Sequence, residues 1–409
     1  MSGAGTGRCG LNLILIAIAA GIAATAVAFF VGRNQGKIEA RRAERKKDTT
    51  KITEGPWGQI RYWETLLEMP PHMVAQISRT DRKSEWYFGV GATDEVARVL
   101  ADCGMDRAVA AKAMTTIDHW PDGGFVLRPD DDLVINVSPD TRAKLYKLLR
   151  RWPQNDAMGK PSRFERMGAL DWLDQTDIPQ KSADIVRKLI YRDGVTELFV
   201  DYDIVVRSLP DNRDALEFLR TMTRQNCIMG SLVIRPDEDV EKLVSYWGQG
   251  GRERDVRTLI ESARWSDTRH EIPLMMLLPH FVGDRLYRYR NDTDPEGANC
   301  HYSSLNFFAH EPDSSYTNLS SCSATIDRDY ADVPSGDRQL GDLVLLMSGA
   351  RGVEHSCNFV ASDIVFTKNG TARGQPWVLA NLQQVVNYFS VEQPVTIRVM
   401  RRKDLAAKK

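Results

Sequence analysis

The sequence predicts an α+β protein in three parts: an N-terminal transmembrane helix, a mixed α/β middle region and a C-terminal unit with a small antiparallel sheet. Three observations predict this organisation. A stretch of 24 residues near the N-terminus carries no charge, the middle region alternates short helical and strand patterns, and the C-terminal pattern runs helix, three strands, helix, strand. With 409 residues, 42% of them hydrophobic, the chain is long enough for several domains.

The uncharged stretch covers residues 9–32, and its most apolar part is residues 11–31. About 20 helical residues cross a hydrocarbon core of roughly 30 Å, so we expect a retained single-pass anchor. A cleaved signal peptide is the alternative, because Ala26-Val27-Ala28 offers a cleavage site. The apolar run is longer than a usual signal-peptide core, however, which favours the anchor. Residues 1–32 are therefore interpreted as an N-terminal tail and transmembrane helix.

Residues 33–56 are interpreted as a basic stalk and polar linker. Residues 33–47 hold seven basic side chains and two acidic ones, a balance that suits anionic lipid headgroups and makes the membrane an expected partner. Because this basic excess follows the apolar run, the positive-inside rule places the soluble part in the cytoplasm. The functional interpretation below favours an extracytoplasmic location, so the orientation stays open.

Residues 57–270 are expected to form a mixed helix and strand domain of unassigned role. Hydrophobic spacing and capping residues predict helices at residues 93–100, 139–152, 182–191, 213–224, 238–246 and 254–263. Apolar runs predict strands at residues 133–137 and 227–234.

Composition and spacing exclude several classes of function. A net charge of −1 gives no basic excess, so no nucleic-acid partner is expected. The six cysteines form no CxxC pair and the seven histidines no HxxxH pair, so no metal or other cofactor is predicted. His301 and His310 are interpreted as surface or packing residues.

Residues 271–409 show the clearest pattern of secondary structure. The sequence predicts a helix over residues 274–287, broken near Pro279, and a second helix over residues 300–310. Strands at residues 341–347, 353–360 and 363–369, a helix at 376–389 and a last strand at 395–400 complete the unit.

One cysteine and one histidine in this unit could carry chemistry. Cys300 follows a loop and would begin a helix, where the helix dipole lowers a thiol pKa. His355 lies in a predicted strand and is the best candidate for the base that a nucleophilic cysteine needs. A two-residue turn after this strand would place Lys368 opposite His355, and a loop one residue longer would place Asn369 there.

These segments resemble the NlpC-type cell-wall peptidases, a branch of the papain-like cysteine hydrolases. The matching pieces are GANCHYSSLNFF, the strand QLGDLVLLMS and the hairpin VEHSCNFVASDIVFTKNG. The resemblance implies a papain-like C-terminal domain with Cys300 as nucleophile, His355 as base and Lys368 or Asn369 as the orienting residue.

The resemblance implies a membrane-anchored hydrolase that cleaves an amide bond in a peptide or amide substrate, for example a cell-wall stem peptide. The alternative is a membrane-tethered scaffold or binding protein with a degenerate papain-like domain. Reaction of Cys300 with an amide-mimicking thiol reagent would distinguish the two.

Overall fold

The computed structural model describes residues 50–406, apart from 76–82, 160, 165–172, 174–175, 177, 195, 267–269, 350–351 and 391–393. The transmembrane helix predicted at residues 11–31 lies outside the described residues, as does nearly all of the basic stalk. No helix in the described part of the chain is long and apolar enough to cross a membrane. For the described residues, the predicted α+β fold class with a transmembrane helix is corrected to a mixed α/β fold.

From Lys51 onward the chain forms one compact unit. Its strands are β1 (Lys51–Gly55), β2 (Gly58–Leu67), β3 (Trp86–Phe88), β4 (Asp118–His119), β5 (Phe125–Leu127), β6 (Ser162–Phe164), β7 (Tyr191–Asp193), β8 (Thr196–Phe199), β9 (Gln225–Val233), β10 (Glu271–Pro273), β11 (Tyr330–Asp332), β12 (Leu343–Ser348), β13 (Gly352–Ala361), β14 (Ile364–Lys368), β15 (Trp377–Asn381) and β16 (Val395–Arg402). They make sheets in the orders β1-β2-β9-β10, β3-β5-β4, β6-β8-β7 and β11-β16-β12-β13-β14-β15.

The helices of the described residues are α1 (Pro71–Val74), α2 (Thr93–Asp102), α3 (Arg107–Met114), α4 (Asp131–Asn136), α5 (Pro139–Leu149), α6 (Asp156–Gly159), α7 (Gln180–Leu189), α8 (Tyr202–Ser208), α9 (Asn212–Met222), α10 (Val240–Trp247), α11 (Glu253–Arg264), α12 (Leu274–Leu277), α13 (His280–Arg285), α14 (Cys300–Leu305), α15 (Leu319–Asp329), α16 (Leu382–Phe389) and α17 (Lys403–Ala406). The break predicted near Pro279 is confirmed, since it separates α12 from α13.

Two segments have a different structure from the one predicted. Residues 133–137, predicted as a strand, lie mainly in helix α4, because the Asp130 carboxylate accepts a hydrogen bond from the Leu133 amide and caps that helix. Residues 377–381, predicted as helix, form β15, whose side chains are buried on both faces of the sheet. Helix α16 begins only after Asn381, which caps it by accepting from the Gln383 amide.

The four-stranded sheet joins segments that are far apart in the sequence. Strand β1 occupies part of the predicted linker and pairs with β2, so the linker interpretation is wrong for Lys51–Gly55. Strand β10 pairs with β9 and sets Ile272 opposite Leu232. The division predicted between residues 57–270 and 271–409 therefore falls inside this sheet.

The six-stranded sheet carries one helix layer on each face. Leu305 of helix α14 packs with Leu345 on one face, in a cluster of buried apolar side chains. Val385 of helix α16 packs with Val344 in a second cluster. Because Val344 and Leu345 are neighbours in β12, their side chains point to opposite faces. Helices α14 and α16 therefore cover opposite faces of the same sheet.

Candidate active site

Cys300 is the first residue of helix α14, as the sequence predicts. The side chain of Asn299 accepts a hydrogen bond from the Tyr302 amide at 3.0 Å and caps the helix. The helix ends at Leu305 and not near residue 310, because the Asn306 side chain turns back to donate to the Tyr302 carbonyl at 3.0 Å. Short as it is, this helix places the Cys300 thiol against the sheet.

The surroundings of this helix are fixed by charged and aromatic side chains. Arg288 pairs through two 2.9 Å contacts with the buried carboxylate of Asp294, in the loop that leads to Cys300. The same guanidinium lies 5.4 Å from the centre of the Trp377 ring. The Trp377 indole nitrogen donates to the Ser303 hydroxyl at 2.8 Å. Helix α14 is therefore held from its leading loop and from strand β15.

The Cys300 side chain is buried, with the residue 8% exposed. Burial raises the pKa of its thiol, although hydrogen bonds from the Ser356 amide and hydroxyl and from amides at the helix start act to lower it. The sequence predicted a depressed pKa from the helix N-terminus and a nearby imidazole, and that prediction is wrong, because burial is the largest influence on the pKa of this thiol. The native thiol is therefore held in its protonated form at neutral pH.

Ser356 is the centre of a buried polar network on this face of the sheet. Its hydroxyl lies 2.8 Å from His301 Nδ1 and 2.7 Å from the Ser304 hydroxyl. The Asn358 side chain extends the network by donating to the Ser304 carbonyl at 3.1 Å. We call Cys300, His301, Ser304, Ser356 and Asn358 the Ser356 network. It joins helix α14 to strand β13 through polar contacts.

His355 lies on the other face of the sheet. It precedes Ser356 in β13, so the two side chains point in opposite directions. The imidazole stacks on Phe389 of helix α16, with ring centres 4.1 Å apart. Its Nε2 lies 2.8 Å from the Thr367 hydroxyl, and its Nδ1 is buried without a hydrogen-bond partner among the described residues. Burial, with His301 nearby, lowers the pKa of His355 to about 3.

The hairpin between β13 and β14 decides which residues face His355. Ala361 pairs with Ile364, but Phe359 pairs with Val365, so Val360 is an extra residue that forms a β-bulge. Continued along the strands, this register sets Asn369 opposite His355. It corresponds to the second of the two registers that the sequence left open.

Lys368 lies on the same sheet face as the Ser356 network. Its ammonium donates to the carbonyls of Gly370 and Ala372, at 2.7 and 3.2 Å, and lies 5.2 Å from the centre of the Trp377 ring. Burial, with Arg290 nearby, lowers its pKa to about 7. These hydrogen bonds hold the loop after β14, and they do not orient His355.

Of the predicted site residues, Cys300 and Lys368 therefore share one sheet face and His355 lies on the other. The residues that contact Cys300 and His355 were missed from the sequence. Ser356 follows His355 in the sequence, and Thr367 precedes Lys368. The correct strand register would have shown on which face of the sheet each of them lies. Sequence reasoning also assigned His301 to the surface or to packing, whereas it belongs to the buried network.

In the part of the chain that the structure describes, no group of histidine, cysteine, aspartate or glutamate side chains is arranged to hold a metal ion. Comparison with protein-family models, with curated proteins and with solved structures finds no match. The resemblance to NlpC-type peptidases therefore stays a prediction from the sequence.

Proposed function

We propose that this chain is a binding or scaffold protein in which Cys300 has no hydrolytic role. The observation that carries the proposal is the placement of Cys300 and His355 on opposite faces of one sheet. A cysteine nucleophile needs a base within hydrogen-bond reach. Because the sheet lies between the two side chains, His355 cannot act as the base for Cys300.

The protonation states agree with this proposal. A thiol with a raised pKa is a poor nucleophile, because the thiolate is the reactive form. An imidazole with a pKa near 3 accepts a proton poorly at neutral pH, and His355 is 0% exposed. Hydrolysis would require both groups to change their surroundings.

Alkylation of individual cysteines tests the proposal. The full-length chain is treated at neutral pH with iodoacetamide and with an amide-mimicking electrophile, and each cysteine is quantified by mass spectrometry. We expect Cys300 to react no faster than Cys322 or Cys357, which are also buried, and to react fully only after denaturation.

Two variants make the test specific. Cys300→Ser identifies the signal from Cys300, and His355→Ala should leave its rate unchanged in the folded protein. Rapid labelling of native Cys300 by the amide-mimicking reagent, slowed by His355→Ala, would overturn the proposal and restore the hydrolase.

A further inference from the structure

A cleft of about 680 Å³ opens between helix α10 and the short 3₁₀ turn Ser335–Asp337. Residues of the turn between helices α10 and α11 and of the segment 336–339 form its walls. It shares no residue with the Ser356 network. Its volume falls within the range of pockets that hold small molecules.

Arg338 is the most distinctive residue of this cleft. Its guanidinium lies 4.7 Å from the centre of the ring of Phe359, a residue only 2% exposed. Stacking of this kind leaves the N–H groups at the edge of the guanidinium free to donate in its plane. Among the described residues Arg338 has no hydrogen bond or ion pair, although it is half-buried.

Arg401, which also lines the cleft, shows the contrast. It forms a two-bond pair with the buried carboxylate of Asp342, at 2.8 and 2.7 Å, and also donates to the Asp337 carbonyl. Its Nε and one of its two terminal nitrogens therefore donate within the protein. Arg338 thus differs from its neighbour in lacking a carboxylate partner, and a partly desolvated guanidinium is stabilised by an anion.

The other charges of the lining define the ligand more narrowly. Lys242 supplies a second cation, while Glu253 and Asp337 supply two carboxylates. Those carboxylates repel a dianion such as phosphate and attract a cationic group. The flat edge of Arg338 matches the two oxygens of a carboxylate. Balanced charges of this kind suit a ligand that carries both signs.

We infer that this cleft binds a zwitterionic amino acid or short peptide, with its carboxylate on Arg338 and its ammonium group facing Glu253 and Asp337. The side chains of Ser245 and Gln339 line the same cleft and offer hydrogen bonds to a peptide unit. This inference names a class of ligand for the proposed binding function, and its biological meaning rests on that proposal. The two are tested apart, since alkylation of Cys300 reports nothing about this cleft.

Calorimetric titration of the full-length chain tests the inference. The probes are alanyl-alanine, N-acetyl-alanyl-alanine and inorganic phosphate, at matched ionic strength. We expect saturable binding of alanyl-alanine, weaker binding of the acetylated form, which lacks the ammonium group, and the weakest binding of phosphate.

Substitutions then assign the contacts. Arg338→Gln should weaken alanyl-alanine binding at least about tenfold, because a charge-assisted contact is lost. The matched control is Arg398→Gln, which alters an exposed arginine paired with Asp332 and should leave the affinity unchanged. Glu253→Gln should reduce the difference in affinity between alanyl-alanine and N-acetyl-alanyl-alanine, because it removes a carboxylate that faces the ammonium group.

Circular dichroism of each variant confirms that it is folded. Absence of saturable alanyl-alanine binding, an Arg338→Gln affinity equal to that of the wild type, or tighter binding of phosphate would each overturn the inference. If native Cys300 proves reactive while the dipeptide still binds at Arg338, the proposed function fails and the cleft inference stands.

Discussion

Two buried polar clusters in this protein meet the cost of burial in different ways. Around Arg142 the cluster is charged: the fully buried guanidinium lies 3.8 Å from the Asp201 carboxylate, which also accepts from the Tyr146 hydroxyl at 3.0 Å. Arg142 donates as well to the carbonyls of Lys188 and Val134. The Ser356 network instead joins a thiol, an imidazole, hydroxyls and an amide, and none of these groups carries a formal charge when the imidazole is neutral.

The difference between a charged and a neutral cluster bears on how the stability of each region depends on pH. Burial penalises the charged form of any group, so it raises the pKa of a carboxyl and lowers that of an imidazole. The pKa of Asp201 is raised to about 6, whereas that of His355, directly behind the Ser356 network, is lowered to about 3. The two regions should therefore contribute to stability with opposite dependence on pH.

The largest effect is expected at His355. Its folded pKa of about 3 lies below the ordinary value of 6.5, so its contribution to stability is present above pH 6.5 and is lost as pH falls through 3. The full loss is about 5 kcal/mol. His355→Leu should remove this acid sensitivity, because leucine does not titrate. The Thr367 hydroxyl, which loses the imidazole, keeps its hydrogen bond to Asn369.

Urea unfolding between pH 7 and pH 4 measures this effect. The exposed His310 provides the matched control, since His310→Leu should keep the wild-type dependence on pH. A wild type that loses no more stability in acid than His355→Leu would contradict the neutral, buried state assigned to His355.

The next effect is expected at Asp201, with the opposite sign. Its folded pKa of about 6 lies above the ordinary 3.8, so its contribution is present below pH 3.8 and is lost as pH rises through 6. The full loss is about 3 kcal/mol. Asp201→Asn should flatten the dependence of the free energy of unfolding on pH in this range. Urea unfolding between pH 4 and pH 7 measures it, and Asp122→Asn, at an exposed position, should keep the wild-type dependence. An unchanged profile in Asp201→Asn would show that another group carries the dependence.

The smallest of the three effects concerns the neutral network itself. Ser356→Ala removes the hydroxyl shared by His301 and Ser304 and leaves buried polar groups without a partner. We expect a loss of about 2 kcal/mol in the free energy of unfolding at neutral pH. The exposed Ser320→Ala should change it by less than about 0.5 kcal/mol. Equal stability of both variants would mean that the network contributes little to holding helix α14 on the sheet.

Local signals predicted much of the C-terminal secondary structure. The strands near residues 343, 353, 364 and 395 were found because apolar residues dominate them and turn residues bound them. The start of helix α14 was found because Cys300 follows a loop that contains Pro295 and Gly297. Helix α4 was missed because the short apolar run at residues 133–137 resembles a strand. The cap at Asp130 is the signal that would have indicated a helix.

The candidate site could not be predicted to the same extent, because it depends on pairing between strands. Whether His355 faces Cys300 is decided by the register and by which helix covers each face, and neither is encoded in a local pattern. The burial that raises the thiol pKa of Cys300 likewise comes from distant segments such as β13. The helix N-terminus and the expected imidazole neighbour therefore predicted the wrong direction of the pKa shift.

The bulge at Val360 has a consequence for changes of chain length in this hairpin. Val360 is skipped in the pairing between β13 and β14, so a chain without it would still pair Phe359 with Val365. Deleting that codon would remove the bulge and keep Asn369 opposite His355, and each side chain of the Ser356 network would stay on its face of the sheet. The bulge therefore allows related chains to differ by one residue next to the turn without changing which side chains face one another farther along the strands.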